Sequence, residues 1–483
     1  MIAAVPIPWL VLLPALLLTG TALLVMVADL WMEGPDRDGL GWLGIAGLVV
    51  ALIASVTLWN QHEGGFGGTL VLDRYALFFN LVFCLAAGLT LLMSMNYLEF
   101  TDIRVGDYYS LIVFATLGMV LMAAAADLIV IFLGLEVMSI AVYVLAGIWR
   151  QQQRSTEAAL KYFLLGAFAT GFLLFGIALL YGATGTTALA GISAQVLKVG
   201  GEQRLLLLAG MALLLIGFGF KVAAVPFHVW TPDVYEGAPT SITALMAVGV
   251  KAAAFAAFVR VFVQALGALT AEWAPVLWVL AVLTMTAGNV IALLQQNIKR
   301  MLAYSSIAHA GYLVLGLIAA RDGGGGAVLF YLVVYALMNL GAFAVVIALG
   351  QRGAANEQLD DYAGVGFRHP FLGFAMSVFM LSLAGLPPLA GFAGKFYLFA
   401  AAVKAGYIGL AVIGVLNSVV SMYYYAGVLV KMYMVEGGAA VAEVTTRPYL
   451  VATVILTVIG TLLLGVFPSF THELARQAFL SLG

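Results

Sequence analysis

Glu136, Lys221, Lys251 and Lys395 each lie inside a long apolar run. Only 9% of the 483 residues are charged, so every such placement needs a reason. A lone charge at the bilayer centre costs at least ~2.5–3.5 kcal/mol on insertion scales. Buried amines and carboxyls take up or release protons according to their surroundings. A nearby opposite charge favours the ionised form, and burial favours the neutral one. Three lysines and one glutamate at membrane depth therefore read first as a proton path.

Each has an alternative. Lys251, in ITALMAVGVKAAAFAAFV, sits too deep to snorkel, and its alternative is a structural counter-ion. Lys221 lies five residues before Pro226, so it can snorkel from a helix end instead. Glu136, in LIVIFLGLEVMSIAVYVLAG, could be a protonated acid bonded within the bundle, although nearby lysines favour an ion pair. Lys395 follows LPPLAGFAG and could line a re-entrant loop without carrying protons. Further residues could border a water path. Tyr304, Ser305, Ser306 and His309 share one helix, with His309 on the face of Ser305 four residues earlier. A lone histidine of this kind can equally be a satisfied interior group. His228 borders the break at Pro226, and Asp233 and Glu236 suit a cytoplasmic mouth. Asn339 and Asn417 suit bonds between helices.

The elements that must position these residues are membrane spans. The chain is 64% hydrophobic, with a mean hydropathy of +1.09, a balance foreign to soluble domains. A span needs about 20 mostly apolar residues. Fourteen candidates follow: 8–28, 40–59, 75–96, 108–125, 128–148, 160–182, 204–226, 240–264, 273–295, 301–320, 327–349, 370–388 continuing to about 403, 407–431 and 448–467. The gaps near 183–203 and 350–369 read as loops or short surface helices. The N-terminus lacks a basic region and cleavage site, so it reads as a first span rather than a signal.

Other chemistries find no support. A single cysteine, Cys84, allows no disulfide and no cysteine-ligated metal or iron–sulfur site within the chain. The five histidines are scattered, without haem-like pairing, and a net charge of −2 offers nucleic acid no basic surface. No dinucleotide fingerprint is present. With the three buried lysines set aside, eighteen basic residues remain. Eleven fall on the cytoplasmic side if both termini face outside, and seven, Arg260 among them, on the outer side. The positive-inside rule thus favours both termini outside.

Two pentads, GFGFK at 217–221 and GFAGK at 391–395, share the pattern Gly-Phe-x-x-Lys. Each adjoins proline: Pro226 after the first, Pro387 and Pro388 before the second. Proline interrupts a helix, and the freed carbonyls then need water or a polar side chain. The pentads lie five spans apart and so would run oppositely. This is the mark of an inverted repeat with ion sites on broken helices. The expected organisation is one transmembrane domain, 1–483, made of N-terminal helices 1–107, repeat one at 108–266, repeat two at 273–432 and a last helix at 448–467.

The segment KVAAVPFHVWTPDVYEGAPTSITALMAVGVKAAAFA (221–256) resembles the signature of the antiporter-like membrane subunits of respiratory complex I, in the form carried by subunit N of bacterial NADH–quinone oxidoreductase. QQNIKRMLAYSSIAHAGYLVLG (295–316) and LSLAGLPPLAGFAGKFYLF (381–399) agree with it. The resemblance spans the chain. It implies an all-α polytopic membrane protein of fourteen helices, with two inverted five-helix repeats and broken helices seven and twelve. It assigns Glu136 to the family's glutamate on helix five, and Lys221, Lys251 and Lys395 to its lysines on helices seven, eight and twelve. Lys395, where M-type subunits carry glutamate, and a short C-terminal tail both favour the N type. By this resemblance the chain is part of a translocase driven by electron transfer from NADH to quinone. FMN, iron–sulfur clusters, NADH and quinone are expected in partner subunits and no cofactor on this chain. The rival readings are an Mrp-type cation/proton antiporter, an energy-converting hydrogenase membrane subunit, a scaffold without its own proton path and, lowest, a solute carrier.

Overall fold

A computed structural model of the protein describes residues 8–32, 38–101, 103, 107–350, 356–436 and 447–482. The chain opens with α1 (Trp9–Asp29) and α2 (Asp38–Thr57). A small antiparallel hairpin follows, β1 (Glu63–Gly65) against β2 (Leu70–Leu72), with Gly64 opposite Val71. This is a departure from the purely helical expectation. Gly67 and Gly68, at φ 69° and 88°, take the left-handed conformations that let the chain reverse there.

Next come α3 (Arg74–Thr101), α4 (Asp107–Ala124), α5 (Leu128–Ala146), α6 (Gln153–Thr184), the short α7 (Leu189–Gln195) and α8 (Gly201–Val222). After a non-helical link, α9 (Thr231–Gly237) leads into α10 (Thr240–Ala265). The second half holds α11 (Thr270–Ala292), α12 (Ile298–Ile318), α13 (Gly324–Leu349), α14 (Pro370–Ala384), α15 (Ala390–Lys404) and α16 (Ile408–Met434). It closes with α17 (Pro448–Val466) and α18 (Ser469–Leu480).

Among the described residues, 13 helices are long and apolar enough to cross a membrane, and α14 is a shorter apolar helix. The stretch expected as one span from 370 to about 403 is thus two helices, α14 and α15, and the C-terminal tail forms α18. The described chain ends meet at the same end of the bundle. Pro8 lies against Gly65, and the Tyr75 N–H donates to Ser481 Oγ at 3.1 Å.

The core lies around α10, α12 and α13, which are buried almost along their whole lengths, whereas α1, α2, α6, α16 and α17 keep most of their surface outward. Capping fixes where several helices start. Asp127 accepts from the Ile129 N–H at the start of α5, and Asn297 accepts from Lys299 and Arg300 at the start of α12. Both satisfy orphan helix-terminal donors.

Arg260 is not the loop residue that the charge count assumed. It is 1% exposed on α10, and its Nη2 meets Asp73 Oδ1 at 2.9 Å. Its Nε donates to the Ala123 carbonyl at 3.0 Å, and its guanidinium lies 4.8 Å from the Tyr75 ring centre. An arginine this deep persists because charge, hydrogen bonds and a ring face all meet it. Arg37, Arg104 and Arg352, counted for the cytoplasmic side, lie outside the described residues.

Candidate proton path

Lys221 ends α8, where the helix closes on Ala223 in the left-handed conformation, φ 62°. Helical backbone resumes at Thr231. Two side chains, one from α11 and one from within the link, bond groups at this interruption. The Val225 N–H donates to Thr284 Oγ1 at 2.9 Å, and Trp230 Nε1 donates to the Phe220 carbonyl at 3.0 Å. Lys221 is buried, and its Nζ donates to Ser139 Oγ at 2.7 Å and Tyr143 OH at 3.3 Å, both on α5. The Tyr143 and Tyr162 ring centres lie 5.2 and 5.5 Å from the ammonium.

Glu136, on the same α5, lies within electrostatic reach of Lys221. The expected ion pair is not formed: among the described residues no cation comes within 4.0 Å of its carboxylate. Ser139, one turn further along α5, takes the ammonium instead. Glu136 borders the outward stripe of α5 formed by Leu133, Ile140 and Val144, yet its Oε1 is buried and has no hydrogen-bond partner.

Lys251 is 2% exposed in the middle of α10, directly after a π-helical turn at Met246–Val250. Its Nζ donates to the Ser306 carbonyl at 2.6 Å and also to the Ser306 hydroxyl, both on α12. Tyr335 of α13 presents its ring centre 6.0 Å away. One turn above Ser305, His309 uses both ring nitrogens. Nδ1 meets Tyr331 OH at 2.5 Å and Nε2 meets Tyr425 OH at 3.0 Å. Tyr425 OH also meets Ser305 Oγ at 2.5 Å. His309 lies within electrostatic reach of both Lys251 and Lys395.

Lys395 sits on α15 and reaches back to the carbonyl end of α14. Its Nζ donates to the Leu383 and Ala384 carbonyls at 2.9 and 3.0 Å and to Ser418 Oγ at 2.8 Å. A cation there meets the unpaired carbonyls and the negative end of the helix dipole. The approach depends on Gly391: a Cβ there would lie 1.8 Å from the Ser382 carbonyl oxygen.

The sequence-selected residues divide accordingly. Lys251, Ser305, Ser306, His309 and Lys395 join one interior region of α10, α12 and the α14–α15 junction. Lys221 and Glu136 share a second region on α5 and α8. His228 is half-buried in the α8–α9 link with its Nδ1 unpartnered. Tyr304 packs against the core outside this hydrogen-bonded group. Asn417 bonds Asn289 and Thr286, which fits a link between helices. The side chain of Asn339 has no partner at either polar atom. Sequence reading missed Ser139, Tyr143, Tyr331, Ser418 and Tyr425. The one signal available was position: Ser139 and Tyr143 lie three and seven residues after Glu136, near the same helix face.

At one end of the bundle, Asp233 and Glu236 belong to a charged cleft of about 210 Å³ with Arg154, Glu157, Lys161 and Arg300. Arg300 Nη1 pairs with both carboxylates at 2.8 Å, and Lys161 meets Asp233 at 2.6 Å. Asp233 is held below the usual carboxylate range: partial burial pushes it up, and Lys161 and Arg300 outweigh that. Among the described residues no cluster of His, Cys, Asp and Glu could hold a metal ion.

Comparison with known proteins places this geometry. Residues 125–421 match the family described as NADH:quinone oxidoreductase/Mrp antiporter, transmembrane. The chain is 50% identical over 468 residues to NADH-quinone oxidoreductase subunit N of Trichlorobacter lovleyi, covering 97% of this chain and 96% of the relative. It is 46% identical over 482 residues to subunit N of Chloroflexus aggregans, covering 99% and 98%. A solved chain of respiratory complex I from Thermus thermophilus with bound aureothin matches with a TM-score of 0.81 and 36% identity, over 96% of this chain and 99% of that one. A chain of the Mrp complex from Dietzia sp. has the same fold, with a TM-score of 0.85 at 22% identity over 98% and 97%.

Proposed function

The chain belongs to the NADH:quinone oxidoreductase/Mrp antiporter family of membrane subunits, among relatives named NADH-quinone oxidoreductase subunit N, and from that premise we propose that it carries protons within the membrane arm of such a complex. The observation that carries the proposal is the bonding of the three lysines. Lys221, Lys251 and Lys395 are buried, and each donates to hydroxyls or carbonyls rather than to a carboxylate. An amine locked to a carboxylate keeps its proton, whereas one among neutral acceptors can give it up.

In this reading Glu136 sets the charge state of Lys221, and the proton passes to Lys251 and then to Lys395. Ser305, Ser306 and His309 border the second step, with His228 and Tyr304 as further residues near water. The unpaired atoms of Glu136, His228, Tyr335 and Asn339 are places where ordered water would find partners. Each unit charge moved against 100 mV stores about 2.3 kcal/mol, so the drive must come from outside the chain. We assign it to electron transfer from NADH to quinone in partner subunits that hold the FMN and the iron–sulfur clusters. The partners are other membrane subunits, including neighbouring antiporter-like ones.

We read 108–266 and 273–432 as inverted repeats, because Lys221 and Lys395 each adjoin a helix interruption. From the sequence-wide count of eleven basic residues against seven, of which Arg260 is buried, we read the cleft as cytoplasmic and the termini as outer, and we assign the chain to the bacterial inner membrane. The test is NADH-driven proton uptake by the complete complex in vesicles. Lys251→Ala is expected to abolish or sharply cut uptake with the complex assembled. Full uptake in that variant would remove Lys251 from the path.

A further inference from the structure

The two lysine regions are separated by a wall of aromatic rings. Lys221 looks onto Tyr162, and the Tyr162 ring stacks on Trp230 with centres 4.5 Å apart at 11°. Trp230 in turn meets Tyr235 edge-on at 6.2 Å. Beyond that wall lie Ser306, Tyr335 and Lys251.

Tyr235 is the member of this wall that faces both sides. It sits on α9, is 1% exposed, and its carbonyl accepts from Thr243 Oγ1 at 2.8 Å, which ties α9 to α10. Its hydroxyl lies near the Ser306 hydroxyl without a direct hydrogen bond to it. It is also within electrostatic reach of Tyr162 on the Lys221 side and of Tyr335 on the Lys251 side. Both of those tyrosines carry buried hydroxyls with no hydrogen-bond partner. Buried unpaired hydroxyls on either flank of a third one call for an explanation.

We propose that Tyr235 connects the Lys221 and Lys251 regions, passing a proton between Tyr162 and Ser306 through intervening water. The hydroxyl accepts a proton on its oxygen from the Lys221 side and releases its own toward Ser306. It ends neutral with its O–H turned round, and the bond broken equals the bond formed. Ser306 then delivers to Lys251, to which it is already bonded. The ring fills the space around its hydroxyl, so the hydroxyl offers the shortest polar route between the two regions.

The inference rests on the proton-carrying reading above, and its test separates the two. In the complete complex in vesicles, Tyr235→Phe keeps the ring and removes the hydroxyl. Proton uptake per NADH is expected to fall about tenfold, short of the ~10²-fold that a positioned proton-transfer group can supply because water still bridges part of the gap. Electron transfer to an artificial acceptor should be unchanged. Ser306→Ala should reduce uptake comparably, and the double variant should be no worse than the poorer single one, since both act on one link. Normal uptake in Tyr235→Phe beside lost uptake in Lys251→Ala would overturn the role of Tyr235 and leave the wider reading standing. Effects that multiply in the double variant would also overturn it. Normal uptake in both Tyr235→Phe and Lys251→Ala would overturn the two together.

Discussion

Lys251 and Ser306 are joined twice: the ammonium donates to the Ser306 carbonyl at 2.6 Å and to its hydroxyl. The carbonyl anchors the amine to the α12 backbone. The hydroxyl can accept and donate in turn, so it can pass on what the amine releases. Lys251→Arg should therefore block transport while preserving charge, because guanidinium does not deprotonate in proteins. Proton uptake by the assembled complex should be lost in that variant, and retained uptake would show that Lys251 serves only as a fixed charge.

Glu136 is near Lys221 without touching it, so its influence acts through charge across a gap rather than through a bond. Glu136→Gln removes that charge and is expected to weaken coupled pumping several-fold. Glu136→Asp keeps it and should retain most activity. The comparison is NADH-driven uptake in the two variants, and equal values would exclude an ionised partner for Lys221.

Charged residues inside apolar runs were legible in the sequence because they are so rare there. Interruptions at Pro226 and Pro387–Pro388 were legible for the same reason. Most of the partners were not. Serine and tyrosine are common in membrane helices, and α5 and α13 are apolar almost all round, so no hydrophobic face indicates which way Ser139 or Tyr331 points. The misplacement of Arg260 has a similar source. At the end of an apolar run an arginine looks like a loop residue, and its partner Asp73 lies 187 positions away. The hairpin at 63–72 was missed because strands this short carry no periodicity.

That ion pair supports a stability prediction. Asp73 and Arg260 are 3% and 1% exposed at their side chains. Removing one partner leaves an uncompensated buried charge, which costs about 3–5 kcal/mol. Asp73→Asn and Arg260→Met are each expected to lower the melting temperature of the purified complex or prevent assembly. The double variant should recover part of the loss. A double variant as poor as the sum of the singles would mean that the two residues act separately.

Gly391 tests the geometry of the Lys395 region. A methyl there would meet the Ser382 carbonyl oxygen at 1.8 Å, and backbone cannot yield as a flexible side chain does. Gly391→Ala should destabilise by about 1–3 kcal/mol, as overpacking does. It should also shift α15 relative to α14, from whose last carbonyls Lys395 takes its bonds. Pumping is expected to fall more than electron transfer to an artificial acceptor. Parallel losses in the two activities would indicate general instability rather than displacement of the lysine.

The charged cleft gives a pH prediction with a definite sign. Partial burial raises Asp233, but hydrogen bonds and charge from Lys161 and Arg300 outweigh it, leaving the group below its ordinary value of 3.8. A carboxylate depressed on folding contributes stability that is fully present above the unfolded pKa and is lost as pH falls through the folded one. The contacts of Asp233 with Lys161 and Arg300 should therefore persist unchanged from neutral pH down through the ordinary carboxylate range. In infrared difference spectra of the complex against Asp233→Asn, the carboxylate band of Asp233 should survive below pH 3.8. Its conversion to a protonated band above that pH would mean that the two cations do not hold it. Lys161→Ala with Arg300→Ala should move the conversion upward, because burial then acts unopposed.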